Sequence, residues 1–90
     1  MAHDILIVDD EDDIRLLISG ILEDEGYETR QANNSDTAIS QLGSRRPNLI
    51  ILDIWLEGSK IDGMKLLDFF HAHVIEKFDF SVVLIASQDL

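Results

Sequence analysis

The sequence predicts an α/β domain built on a parallel sheet, and three observations carry that reading. Short apolar runs of strand length alternate with amphipathic helical stretches, an order that calls for right-handed strand–helix–strand crossovers. Two of the runs, Ile5-Leu6-Ile7-Val8 and Leu49-Ile50-Ile51-Leu52, are continuous and rich in β-branched residues, as strands buried on both faces are. Each then stops on acid, Asp9-Asp10 after the first and Asp53 after the second. The carboxyl ends of parallel strands form the edge at which open α/β sheets bind ligands.

Taken in order, Ile5 to Val8 is the first strand, and Asp9-Asp10-Glu11-Asp12-Asp13 follow it. Glu11, Asp12 and Asp13 are accounted for by the helix they open, because acids favour a helix N-terminus through capping and the macrodipole. That argument does not require two acids directly against the strand end, so Asp9 and Asp10 are candidates for function. Ile14, Leu17, Ile18, Ile21 and Leu22 recur at helical spacing, and Gly26 supplies the stop. Glu28 to Ala32 is a short, polar strand suited to a sheet edge. Asn33-Asn34-Ser35 caps a second helix that turns Ala38, Ile39 and Leu42 inward and ends at Gly43, with Arg45-Arg46 placed to suit its dipole.

Pro47 opens the central strand, and the stretch from Ile54 to Gly63 is a loop hanging over its acidic end. A third helix follows, with Leu66, Leu67, Phe70 and Val74 as its apolar face. His71 and His73 fall on opposite sides of that helix and make poor joint metal ligands. Val82-Val83-Leu84-Ile85 is the fourth strand, running into Ala86-Ser87-Gln88.

Ninety residues bound the chain to one small domain. A composition of 46% hydrophobic and 28% charged residues is that of a globular protein rather than a disordered one. The net charge of −11 argues against direct contact with nucleic acid or an anionic membrane, since no basic stripe is present to neutralise phosphates. The absence of cysteine excludes disulfides and thiolate metal sites and fits a cytoplasmic setting. No apolar run approaches the ~20 residues of a membrane span, and no basic leader precedes Asp4. If the two acid-ended strands are neighbours, three carboxylates converge at one end of the sheet. Three acids that close repel one another, and a divalent, oxygen-seeking cation, Mg²⁺ by default, is the group that relieves them.

Together these segments resemble the receiver domain of bacterial two-component response regulators. The resemblance is carried by Ile7-Val8-Asp9-Asp10-Glu11 with Ile14-Arg15 after them, by the Leu52-Asp53 strand end, and by Asp62-Gly63 opening the third helix. The wording from Leu52 to Ser59 is similar, more narrowly, to nitrogen-regulation regulators of the NtrX kind, and the match extends through Leu67. It implies a flavodoxin-like (CheY-like) fold with strand order 2-1-3-4. It also implies that Asp53 accepts a phosphoryl group from the phosphohistidine of a sensor histidine kinase. Asp9, Asp10 and Asp53 would hold Mg²⁺, with the backbone carbonyl of Trp55 as a further ligand. The signal would pass to an output domain that regulates transcription, and the domain would catalyse only its own phosphorylation and dephosphorylation.

The sequence also departs from that pattern. Receivers carry five strand–helix units, a Ser or Thr after the fourth strand and a Lys after the fifth. Measured against this, residues 1–90 form a partial receiver expected to lack the fourth helix, fifth strand and fifth helix, and the site lysine with them. Lys77 in Ile75-Glu76-Lys77-Phe78 echoes the family's Lys-Pro-Phe but precedes the fourth strand. Ala86 stands where the hydroxyl belongs. Ser87, the candidate switch hydroxyl, comes one residue late, a shift that turns a strand side chain to the other face.

Without the last helix, apolar surface on the first stays exposed and the fourth strand becomes an open edge. The chain is therefore expected to cover that surface with a second copy of itself. Two other readings stay open. One is a signalling-dead fragment that binds metal and serves only for interaction. The other is a phosphatase of the haloacid-dehalogenase type, whose Asp-x-Asp spacing Asp10-Glu11-Asp12 fits, although Ile14 stands where a small or hydroxyl residue is expected.

Overall fold

The computed structural model describes residues 3–54, 56, 63–70 and 81–85. In chain order these form β1 (Asp4–Val8), α1 (Asp12–Asp24), β2 (Glu28–Ala32), α2 (Ser35–Ser44), β3 (Leu49–Asp53), α3 (Gly63–Phe70) and β4 (Ser81–Ile85). The strands are all parallel and lie in the order β2-β1-β3-β4, as expected. Val74, His71, His73 and Lys77 lie outside the described residues.

The register sorts the side chains between two faces. Leu6 lies opposite Arg30 and Ile50, and Val8 opposite Ala32 and Leu52, so these residues share one face. On it the core forms from Leu6, Val8, Ala32, Ile50 and Leu52 with Ala38, Leu56 and Leu66, and Ile39, Leu42, Leu67, Phe69 and Val82 pack against it. Each fully buried Leu, Ile or Val contributes roughly 1.5–3 kcal/mol. Ile5, Ile7, Leu49, Ile51 and Val83 take the other face.

That second face is covered unevenly. α1 packs against β1 and β2, with the hydroxyl oxygens of buried Ser19 and of Thr29 on β2 2.6 Å apart. β1 is buried along its whole length, but in β3 Leu49 and Ile51 are only half-buried. Opposite Ile51, Val83 is exposed. The continuous apolar run of β3 therefore does not mean burial on both faces. It means burial on one and partial cover on the other.

The same offset shows on α1. Its inward side is Ser19 with half-buried Ile14, Arg15, Ile18 and Leu22, whereas Leu17 and Ile21, the next positions around the helix, are 60% and 56% exposed. The apolar stripe is thus rotated away from the side that meets the sheet. Glu23, one turn beyond Ser19, accepts hydrogen bonds from the Thr29 and Ser19 hydroxyls. Those bonds, Thr29's first, hold its carboxyl below the ordinary value of 4.5.

α1 ends as its sequence predicts. Gly26 adopts a positive φ of 94°, its N–H donates to the Glu23 carbonyl, and the Tyr27 N–H donates to that of Leu22. This paired closure satisfies two carbonyls the helix leaves over, and glycine takes the left-handed conformation at no steric cost. α2 opens on Asn34, whose side chain accepts from the Thr37 N–H at 2.8 Å.

The far end of α2 differs from expectation. The helix runs through Gly43 to Ser44, and Arg45 is the extended residue that closes it. Arg45 stands at the helix end as expected and has a partner beyond the helix. Its Nε donates to Asp4 Oδ2 at 2.9 Å, beside Arg30, whose Nε donates to Asp4 Oδ1 at 3.0 Å. Arg30 also donates to the carbonyls of Gln41 and Arg45 at 2.8 and 2.7 Å. The buried Asp4 is thereby tied to α2 at the amino end of the sheet, opposite the acidic ends of β1 and β3. Among the described residues no helix is long and apolar enough to cross a membrane.

Candidate functional site

β1 and β3 are hydrogen-bonded neighbours with Val8 opposite Leu52, so Asp9 and Asp53 leave the sheet side by side at its carboxyl edge. The connections diverge here. The crossover through α1 leads outward to β2, and the crossover through α2 returns past β1 to β3, which makes this the topological switch point where α/β sheets hold ligands. Asp9 and Asp53 are fully buried and Asp10 is half-buried. Each offers one carboxylate oxygen to a cluster in which those oxygens all lie within 4.8 Å of one another.

The backbone fixes this cluster from several sides. The Asp9 N–H donates to the Ala32 carbonyl at 3.1 Å, extending the β1–β2 ladder by one step. Asp9 Oδ1 accepts the Glu11 N–H at 2.8 Å, a local turn that launches α1. The Ile54 N–H donates to the Ile85 carbonyl at 2.9 Å, which carries the β3–β4 pairing past Asp53. Gly63 begins α3 hard against this strand end, where a Cβ would collide with the Asp53 carbonyl and the Ile54 Cα. Gly63→Ala is therefore expected to displace the backbone that carries Asp53 and to destabilise the domain by about 1–3 kcal/mol. A denaturant melt checks this, and a variant as stable as the parent would contradict the close approach.

The donor set suits a hard divalent cation. It is made of oxygens alone, and two of the three carboxylates are buried where water does not screen them, unlike an exposed charge run. Of the residues singled out from the sequence, Asp9, Asp10 and Asp53 are brought together, while Trp55 and Ser87 lie outside the described residues. Asp12, the second acid of the Asp-x-Asp spacing, is exposed on the first turn of α1, paired with Arg15, and takes no part in the cluster.

Two contributors were not legible as such in the sequence. Gly63 stood out only as part of a motif, and its tight approach to Asp53 is a tertiary fact. Arg15 sends its Nη1 to the Asp9 carbonyl at 2.6 Å. Its sequence signals were a lone cation after five acids and a place in the motif beside Ile14, neither of which shows the contact.

Sheet order and acid cluster together define a flavodoxin-like domain with an acidic pocket at its β1/β3 switch point. Residues 5–89 match the family model of the response regulator receiver domain, and the chain belongs to that family. It is 65% identical over 68 residues to the nitrogen assimilation regulatory protein NtrX of Azorhizobium caulinodans, a match covering 76% of this chain and 15% of that protein. The crystal structure of NtrX from Brucella abortus in complex with ADP superposes with a TM-score of 0.88 at 51% identity, covering 96% of this chain and 19% of that one. The receiver domain of NtrX from the same organism superposes with a TM-score of 0.76 at 39% identity, covering 90% and 84%. This chain thus spans a small part of the full-length regulators it is similar to.

Proposed function

We propose that the chain is a phosphoacceptor. Asp53 takes a phosphoryl group from the phosphohistidine of a sensor histidine kinase, and Asp9, Asp10 and Asp53 hold Mg²⁺. The observation that supports this best is the convergence of three acidic side chains from the ends of two buried strands, with oxygens within 4.8 Å. A carboxylate oxygen of Asp53 forms the new bond to phosphorus as the phosphorus–nitrogen bond to the donor histidine breaks, which leaves an acyl phosphate. Mg²⁺ held by Asp9, Asp10 and Asp53 would offset the charge of the crowded acids and of the phosphoryl oxygens.

The rest of the work is placement. Gly63 lets α3 close against the backbone of Asp53, and the Glu11 amide holds one oxygen of Asp9. The Trp55 carbonyl and the Ser87 hydroxyl complete the proposed set as a further metal ligand and a switch hydroxyl. Output to transcription passes through a domain outside this chain, whose own charge of −11 disfavours contact with nucleic acid. Incubation with acetyl phosphate and Mg²⁺, followed by peptide mapping, tests this reading and is expected to place the phosphoryl group on Asp53. Phosphate-ester turnover that survives Asp53→Ala would instead point to a phosphatase.

We further propose that two copies associate through the open sheet face. Exposed Leu17 and Ile21 belong to α1, which covers only the β1–β2 side of that face, and half-buried Leu49 and Ile51 with exposed Val83 make up its other side. Covering several hundred Å² at roughly 25 cal/mol per Å² is comparable with the net stability of a small domain. Sedimentation at micromolar concentration is expected to show a dimer that Leu17→Glu with Ile21→Glu returns to monomer. A well-folded monomeric parent would contradict this.

A further inference from the structure

We infer that Arg15 is a positioning residue for the acidic pocket, acting through the backbone of Asp9; the inference rests on the metal-binding reading above. Arg15 lies in the first turn of α1 with its side chain 11% exposed. Its Nη1 donates to the Asp9 carbonyl at 2.6 Å, its Nε donates to Gln31 Oε1 on β2 at 3.2 Å, and its Nη2 pairs with Asp12. One planar fork thus joins the exit of β1, the edge strand β2 and the opening turn of α1, which the single charged point of a lysine cannot do.

The carbonyl it holds belongs to the peptide linking Asp9 to Asp10. A change of ψ at Asp9 turns that carbonyl and carries Asp10 away from Asp9 and Asp53, and a charge-assisted hydrogen bond, roughly twice as strong as a neutral one, opposes it. The amide of Asp9 is held by Ala32 and one of its carboxylate oxygens by Glu11. Arg15 fixes the remaining backbone group from outside the turn. Gln31 in turn orients the guanidinium, so the edge strand, polar throughout apart from Ala32, supports the pocket at one remove. Arg15 acts on the metal site as an outer-shell residue does, by setting where the ligands stand.

Isothermal calorimetry with Mg²⁺ on the 90-residue chain tests this, using the parent, Arg15→Met, Arg15→Lys, Gln31→Leu and the control Leu42→Ala, all at a temperature where each is folded. Leu42 packs against the core from the end of α2 remote from the pocket, so its truncation lowers stability without touching the site. Arg15→Met is expected to weaken Mg²⁺ binding by about tenfold. Arg15→Lys should recover only a minor part of that, because charge alone does not hold the carbonyl. Gln31→Leu should fall between Arg15→Lys and the parent, and Leu42→Ala should melt lower yet bind as the parent does. Full recovery in Arg15→Lys, or Arg15 variants that bind as tightly as the parent, would overturn the positioning role and leave the metal site standing. A parent that binds no Mg²⁺ would overturn both.

Discussion

In the absence of divalent metal, Asp10→Asn is expected to melt higher than the parent, and Mg²⁺ is expected to raise the parent's melting temperature while leaving that variant nearly unmoved. The cause is crowding. Two like charges at the 4.8 Å bound of this cluster repel by on the order of 3 kcal/mol at an effective dielectric constant of 20. Asparagine keeps the shape of the side chain and removes two of the three pairwise repulsions. Because Asp10 is half-buried and partly screened, a net gain of about 1–2 kcal/mol is expected. A metal present at ten times its dissociation constant stabilises by about 1.4 kcal/mol, which in a domain of this size corresponds to roughly 5–10 °C. Asp53→Asn should behave in the same direction. Thermal melts with chelator and with Mg²⁺ check both, and variants that melt lower than the parent without metal would refute the electrostatic account.

Asp53→Asn is also expected to reduce Mg²⁺-dependent labelling by acetyl phosphate to background, a loss of about 100-fold or more. An amide lacks the nucleophilic carboxylate oxygen, and no partial activity follows from keeping the shape. Asp10→Asn leaves the nucleophile in place and weakens the metal site, so its labelling should fall less at low Mg²⁺ and recover in part at high Mg²⁺. The two variants therefore separate nucleophile from ligand. Undiminished labelling in Asp53→Asn, measured by intact mass, would place the acceptor elsewhere. No labelling of the parent at all would leave a metal-binding interaction module.

The parts of this fold legible in the sequence are those set by local pattern. Gly26 ends α1 because only the short left-handed turn fits there, and Asn34 caps α2 through its own side chain. β1 and β3 are marked by apolar runs, and their acids stand out because the dipole of α1 accounts for Glu11 to Asp13, whose first member makes no side-chain cap, and leaves Asp9, Asp10 and Asp53 over. What the sequence does not disclose is tertiary. Leu17 and Ile21 fit the helical period as well as Ile18 and Leu22 do, yet they stand exposed, because periodicity reports a stripe and not the neighbour that covers it. Arg45 reads as a helix-end cation until Asp4, distant in the chain, is found beside it. Arg15 and Gly63 stand in recognisable motifs, but their contacts with the backbone of Asp9 and Asp53 are tertiary.

The central claim is that Asp9, Asp10 and Asp53 form one cation pocket, and its most direct test is paramagnetic broadening of amide resonances by substoichiometric Mn²⁺. The account predicts that Asp9, Asp10, Glu11 and Asp53 broaden first and together, that added Mg²⁺ restores them, and that Asp4 and Arg45 at the opposite end of the sheet stay sharp. Broadening centred on the exposed acids Asp13, Asp24 and Glu28, with Asp53 untouched, would contradict it.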